Sequence, residues 1–214
     1  MVLEKIATLY RKAEMGLISG LAGTTSCVID EVSFYDVGYM QTQIERTKKE
    51  LKRITDDLSV QVEVKDSSDY AKQHIAKLME QRERLLFHMV FLASNSFNNL
   101  DSCMKMAEGH QWEFLDCIRG LQAYHAGQKD RAFQQIEAYY RQHGKVDEHF
   151  LVNKVFGLLL AENGQSQKAI PFLTYALQFI PDDTECLQKL KLCYQKVGNT
   201  GRVSVVSEIL AMLS

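Results

Sequence analysis

Proline is scarce in this chain: its 214 residues include only Pro171 and Pro181. Proline removes a helical hydrogen bond and its ring clashes with the preceding turn, so long proline-free stretches suit helices. Hydrophobic residues make up 46% and charged residues 24% of the chain, an ordinary globular balance that argues against disorder. We therefore expect a folded, mainly helical protein.

An excess of charge of one sign is also missing, since the formal net charge is −2. Such a balance gives no indication of binding to nucleic acid or to an anionic membrane. No apolar run approaches the roughly 20 residues of a membrane span, and the stretch from Leu17 to Ala22 is too short and glycine-broken for a signal-peptide core. We expect neither nucleic acid nor membrane as a partner.

Cysteine is sparse and shows no paired motif. An odd number of cysteines and the absence of CxxC argue against a disulfide framework in a chain of this size. We predict buried, reduced thiols and therefore a cytoplasmic location. The cysteines are Cys27, Cys103, Cys117, Cys186 and Cys193.

Recognisable catalytic and cofactor motifs are absent as well. The sequence contains no GxxxxGK[ST], GxGxxG, HExxH or GxSxG, and no two histidines are three or four residues apart on one helix. His143 and His149 flank a loop near Asp147 and Glu148, where we expect solvated side chains and no metal site. We predict no catalytic residue, no metal and no cofactor, and hence a protein that is not an enzyme.

The first 40 residues contain two different patterns. Residues 1–23 alternate apolar and polar side chains at helical spacing, although glycines weaken the helix toward its end. Residues 24–40 are rich in β-branched and aromatic side chains and predict either a strand pair or an irregular linker with helical turns. The apolar stripe of the first pattern consists of Leu3, Ile6, Leu9, Tyr10, Ala13 and Leu17.

Residues 41–94 predict a long helical hairpin whose two helices pair through an apolar seam. The break falls at about 60–68, where Asp66 or Ser67 could cap the return helix. Val60, Val62 and Val64 give a short strand-like alternation there. The seam consists of Ile44, Thr47, Leu51, Ile54 and Leu58 on the first helix and of Ala71, Ile75, Leu78, Leu85, Met89 and Leu92 on the second.

The second helix of this hairpin is apolar around more than one face, because Leu86, Val90 and Phe91 lie beside the seam. A second apolar face requires a second partner. Residues 3–19 could fold back to complete a three-helix bundle, or a second chain could form a homodimer through 41–94. We further expect a degenerate helix between Asn95 and Gly109.

A repeat occupies the C-terminal half of the chain. Gly127, Gly164 and Gly198 each precede a small or β-branched apolar residue by five positions, and they are separated by 37 and 34 residues. A period near 34 residues is typical of helix–turn–helix repeats. The middle unit, about 150–183, has the fullest set of characteristic residues: Phe156, Gly157, Leu160, Gly164, Ala169, Leu173, Ala176 and Pro181.

These residues resemble the tetratricopeptide repeat family. The first unit, about 113–145, keeps Gly120, Gly127 and Ala132 but has Arg119 and Tyr139 where leucine and alanine are usual. The last unit begins at Thr184 and keeps Leu187, Leu190, Tyr194 and Gly198. The resemblance covers about half of the chain and implies an α-solenoid of about three hairpins, 108–214. With the helical N-terminal region, 1–107, we expect an all-α fold.

The resemblance also implies a binding surface, because the first helix of each unit lines a concave groove in this family. The family's lining positions correspond here to Phe114, Cys117, Leu121, Tyr124, Leu151, Lys154, Leu158, Gln188 and Leu192. We expect Leu158 to face solvent in the free protein. Trp112 and Phe114 should staple the incoming chain to the stack.

The function implied by this groove is that of a non-enzymatic adaptor or scaffold that binds a protein or peptide. The clamp that some such repeats use for acidic C-terminal tails is not matched, since only Lys154 falls suitably. One alternative is a three-repeat chaperone of the type III secretion kind, which holds apolar segments of client proteins. Another is a regulator or enzyme whose site lies in residues 24–40, around Asp30, Tyr35 and Asp36.

Overall fold

The computed structural model describes residues 37–63, 68–144 and 149–214. Within these ranges the chain forms nine helices and no strand, which confirms the predicted all-α fold. None of the described helices combines the length and apolar content that crossing a bilayer requires. The helices are α1 Val37–Glu63, α2 Asp69–Ala93, α3 Leu100–Met106, α4 Leu115–His125, α5 Lys129–His143, α6 Phe150–Glu162, α7 Ser166–Phe179, α8 Thr184–Lys196 and α9 Thr200–Leu213.

Helices α1 and α2 form the predicted hairpin. Its seam is confirmed, because Ile44 and Ile54 on α1 and Leu78 and Met89 on α2 are buried. Helix α1 already includes residues 37–40, which we assigned from the sequence to the irregular segment. Residues 1–36 lie outside the described part of the chain, and with them the N-terminal stripe, the rest of the 24–40 segment and Cys27.

The connection between α1 and α2 differs from the prediction in two respects. Helix α1 continues through Val60 and Val62 to Glu63, so the strand-like alternation is wrong for the residues described there. Both valine side chains are exposed on this last part of α1. The N-cap of α2 is Ser68, whose side chain accepts a hydrogen bond from the Ala71 N–H; Asp66 and Ser67 lie outside the described residues.

Three hairpins follow, α4–α5, α6–α7 and α8–α9, and all three use the same turn. Each turn contains a glycine with φ between +74° and +77°, a left-handed conformation that glycine adopts without steric cost. The residue after the glycine donates its N–H to the carbonyl five residues earlier, so the last turn of the helix is satisfied. These pairs are Gln128–Ala123, Gln165–Leu160 and Asn199–Tyr194, at 2.8, 2.9 and 2.9 Å. The predicted glycine turns are confirmed.

Small residues allow the two helices of a hairpin to approach closely. A Cβ atom on Gly157 would lie 2.8 Å from the Leu173 side chain, and one on Gly120 would lie 2.5 Å from Ile136. Ala169, on the opposing helix of the middle hairpin, is fully buried. The two helices of the middle hairpin therefore pack closely at Gly157.

The hairpins stack in sequence order, as in an α-solenoid. Helix α5 contacts α6 and α7 contacts α8, while α6 contacts α4 on one side and α8 on the other. A single apolar core extends from Ile44 and Val90, through Leu100 on α3, to Ile209 on α9. Helix α3 and the 3-10 turn Phe97–Asn99 are the degenerate helix expected between residues 95 and 109.

The second apolar face of α2 has a partner that we did not predict. Near the end of α2, Phe87 packs edge-on against Trp112 with 5.3 Å between ring centroids, and Phe91 lies 4.9 Å from Phe114. The Trp112 indole N–H also donates to Glu83 at 2.8 Å. Trp112 and Phe114 thus cover part of this face. Residues 3–19 lie outside the described part of the chain, so cover by them stays a prediction. The role of Trp112 and Phe114 as a staple is confirmed; the homodimer through 41–94 stays a prediction.

Candidate functional site

The face shared by α4, α6 and α8 is where the sequence places the binding groove. The structure divides the predicted groove residues into two sets. Tyr124 and Lys154 are half-buried, while Gln188 and Leu192 are exposed. The remaining predicted residues are buried: Phe114, Cys117, Leu121, Leu151 and Leu158.

Leu158 shows the difference most clearly. Only 1% of its surface is accessible, so the prediction that it faces solvent in the free protein is wrong. A family position specifies which side of a helix a residue lies on, but it does not reveal whether that side is covered. Leu158 therefore belongs to the core of the stack.

The start of the groove is covered by the chain itself, through residues 87–99, which we call the docking segment. Phe91 packs on Phe114. Phe97 stacks on Tyr124, with ring centroids 6.2 Å apart and planes 17° apart. The Asn95 side-chain oxygen accepts a hydrogen bond from the Leu151 N–H at 3.3 Å. The docking segment thus contacts three predicted groove residues directly, one on α6 and two at α4.

His149 connects the docking segment to α6. We expected a solvated loop residue, but the imidazole is fully buried, with its ring centroid 5.1 Å from that of Phe91 and 5.2 Å from that of Phe114. As the N-cap of α6, its Nδ1 accepts from the Val152 N–H at 3.2 Å. Its Nε2 lies 2.9 Å from the Ser94 hydroxyl, which itself donates to a backbone carbonyl.

These contacts determine the protonation state of His149. Nδ1 must carry a lone pair, and Nε2 must carry the proton because the Ser94 hydroxyl hydrogen is already used. Burial lowers the pKa of His149 to about 3, since the charged form would lose its hydration. The imidazole is therefore neutral at physiological pH.

The part of the face beyond the docking segment remains accessible. We call it the open groove and define it by Tyr124, Lys154, Glu185, Gln188 and Leu192. Lys154 and Glu185 join α6 to α8, with 2.9 Å between Nζ and Oε2. Gln188 and Leu192 continue the same stripe of α8, and half of the Leu192 surface is accessible.

The charges at this site are paired. The Lys154 ammonium also lies 2.6 Å from the Asp183 carboxylate. Burial alone would lower the pKa of Lys154, but hydrogen bonds to Asp183 and Glu185 outweigh it and raise the pKa above its ordinary value. Farther along, Glu162 binds Lys129 at 2.9 Å and Lys189 at 3.7 Å. Asp183 is also the N-cap of α8, where its side chain accepts a hydrogen bond from the Cys186 N–H.

Tyr124 lies at the border between the docking segment and the open groove. Burial raises the pKa of Tyr124, and the nearby carboxylates of Glu185 and Glu162 raise it further. The phenol therefore stays protonated and can donate a hydrogen bond. Within the described part of the chain, no side chain or carbonyl accepts that bond.

The described residues show no arrangement suited to covalent or metal chemistry. Burial raises the pKa of the Cys103 thiol to about 11, and the pKa values of Cys117 and Cys186 are also raised by burial, so none is an activated thiolate. These thiols and that of Cys193 are free and buried, as predicted. Among the residues described, no three His, Cys, Asp or Glu side chains come together as a metal site would require.

Sequence reasoning missed the docking segment and the burial of His149. One signal was present: Phe87 and Phe91 extend the apolar surface of α2 beyond its seam. That signal indicates that another surface must cover these side chains, but it does not identify that surface. In comparisons with known proteins, no family model, no curated protein and no solved structure matches this chain, so its function has to be inferred from the site.

Proposed function

We propose that the protein is a non-enzymatic adaptor that binds a segment of another protein on the face formed by α4, α6 and α8. One observation carries the proposal: this face already holds a chain segment. The docking segment lies on it through the aromatic side chains of Phe91 and Phe97 and through the Asn95 side-chain oxygen, which accepts a hydrogen bond from the Leu151 N–H. Apolar anchors combined with hydrogen bonds to the backbone are how grooves recognise peptides.

The hairpins themselves support the proposal. Their common glycine turn and the close contact at Gly157 agree with the resemblance to tetratricopeptide repeats. Arrays of this kind present a concave surface lined by the first helix of each unit. In this chain those helices are α4, α6 and α8, and the open groove is their accessible part.

An adaptor agrees with the site better than a chaperone does. A chaperone for long apolar segments needs an extended apolar groove, whereas among the large apolar side chains predicted to line this groove only Leu192 is exposed in the part of the chain described. A clamp for acidic tails needs a free lysine, but Lys154 is bound to Asp183 and Glu185. A site at Asp30, Tyr35 and Asp36 lies outside the described residues.

Site-specific photo-crosslinking in extracts of the native host tests the proposal. A photoreactive residue at Gln188 lies in the open groove, and a matched one at Gln134 lies on the exposed surface of α5. We expect a defined protein adduct from position 188, no such adduct from position 134, and loss of the adduct when Leu192→Lys is added. Identical adducts from both positions, or an adduct indifferent to Leu192→Lys in a variant with normal helicity, would refute the proposal.

A further inference from the structure

We propose that the open groove binds an uncharged segment of its partner, which places a large apolar side chain on Leu192 and a carbonyl oxygen at the Tyr124 hydroxyl. This inference rests on the proposed function and specifies the chemistry of the ligand. Three features of the site carry it: the pairing of its charges, the exposure of Leu192 and the position of Tyr124.

The pairing of charges disfavours an ionic ligand. Three ammonium groups at the groove are paired with carboxylates: Lys129, Lys154 and Lys189 with Glu162, Asp183 and Glu185. Lys196, one turn beyond Leu192 at the end of α8, is exposed. Lys154 and Asp183 expose only 18% and 14% of their side chains. A charged ligand would have to compete with that pair and leave one partner as an uncompensated, partly buried charge, which is unfavourable.

Leu192 supplies the apolar contact. It stands on α8 one turn beyond Gln188, with 50% of its surface accessible. Covering it with a large apolar side chain removes apolar area from water on both molecules. The Gln188 amide beside it can donate to and accept from a peptide backbone, so it favours a polar but uncharged neighbour.

Tyr124 belongs to the open groove and also contacts the docking segment, so the two surfaces adjoin at this residue. Its ring stacks on Phe97, and its hydroxyl lies within electrostatic range of Lys154 and Glu185. A bound segment that accepts the Tyr124 hydrogen bond would therefore follow the docking segment along the same face. A phenol buried by a ligand without an acceptor loses affinity, so this contact selects for a carbonyl oxygen.

The test uses the full chain and three sets of synthetic peptides of about 12 residues. The sets are matched in apolar content and are uncharged, acidic or basic. Binding is measured by fluorescence polarisation at about 0.05 M and about 0.5 M NaCl, a range over which screening alters exposed charge interactions strongly. We expect the strongest binding from the uncharged set, with less than about a twofold change in Kd across this range.

Point variants test whether the peptides bind at the open groove. Leu192→Ala should weaken it about tenfold, since truncating a central apolar contact has an effect of this order. Tyr124→Phe should weaken it about fivefold through the lost hydrogen bond. The matched control is Met79→Ala, which removes an exposed apolar side chain on α2 and should leave Kd unchanged.

The outcomes separate the inference from the function on which it rests. Strongest binding by the acidic or basic set, or a Kd that rises steeply with salt, would overturn the inference and leave the adaptor proposal standing. Binding indifferent to Leu192→Ala, or reduced equally by Met79→Ala, would also overturn it. No binding by any set to protein of normal helicity would count against both.

Discussion

The imidazole of His149 can keep both of its hydrogen bonds only while it is neutral. Its Nδ1 caps α6 and its Nε2 binds Ser94 of the docking segment. Protonation would place a hydrogen on Nδ1 and turn the Val152 N–H contact into a clash of two donors. Burial lowers the pKa of His149 to about 3 in the folded chain. In the unfolded chain the same imidazole has a pKa of about 6.5 and binds a proton much more readily.

The free energy of unfolding should therefore fall as the pH drops below about 6.5, since the unfolded state then binds more protons than the folded state. One such histidine accounts for about 1.4 kcal/mol between about pH 7.5 and pH 5.5. Urea denaturation at both pH values measures the difference. His149→Asn keeps a capping acceptor and should lose this part of the pH dependence, whereas His88→Asn, at an exposed position of α2, should retain it. Equal pH dependence in the His149 variant and the wild type would contradict the argument.

Two glycines provide a matched pair for the close approach of helices. Gly157→Ala would place a methyl group 2.8 Å from the Leu173 side chain and 3.1 Å from its backbone nitrogen. We expect a loss of about 1–3 kcal/mol in the free energy of unfolding, the usual cost of overpacking. Gly201→Ala, on α9, meets nothing within 4 Å and should be neutral or stabilising by up to about 1 kcal/mol, as alanine favours helix over glycine. Urea denaturation of both variants decides the matter; equal stabilities would mean that α6 and α7 are farther apart than described.

At the scale of elements, the docking segment and α6 are joined by a buried hydrogen bond. Asn95→Ala would remove the acceptor of the Leu151 N–H, and an unsatisfied buried donor costs about 1–3 kcal/mol. We expect that loss in denaturant unfolding, together with faster hydrogen exchange at the Leu151 amide. Asn98→Ala, which alters an exposed neighbour in the same segment, is the control. If the two variants were equally stable and equally protected, the docking segment would not be held by this bond.

The elements differ in how far their sequences predicted them. The hairpin of α1 and α2 and the three glycine turns follow from spacing within a few residues, because helical periodicity and the left-handed turn are local properties. The exact ends of the helices were not predicted. Helix α1 begins at Val37, and the N-cap of α2 is Ser68. Several neighbouring side chains could serve as a cap, and the geometry of the connection selects among them.

At the scale of the whole molecule, the hydrophobic core crosses residue 107 and includes Val90, Ala93 and Leu100 along with the repeats. We therefore expect the fragment 108–214 to be much less stable than the fragment 80–214, because it lacks the side chains that cover Phe114 and His149. Circular dichroism during thermal unfolding, with binding of a hydrophobic dye, measures the difference. Equal melting temperatures and no dye binding by the shorter fragment would show that the repeats fold without the docking segment.

The candidate site was predictable only in part. Tyr124, Lys154, Gln188 and Leu192 lie where the family positions place them, and all four are at least partly accessible. The apolar positions before them lie on the same face but are buried. At Phe114 and Leu151 the docking segment contributes to the difference. Its contacts join residues up to 56 positions apart in the chain, a separation beyond any helical period.

Residue types and short spacings were enough to specify an all-helical chain, its hairpin seam and its glycine turns. Each of these depends on interactions within one helix or between helices joined by a short loop. Which part of the groove stays open was decided only by the tertiary structure. Apolar residues such as Phe91 demand burial, but the hydrophobic effect has no direction, so their sequence does not say which surface buries them. The folded chain places them against α4 and α6 and leaves Leu192 and Gln188 accessible.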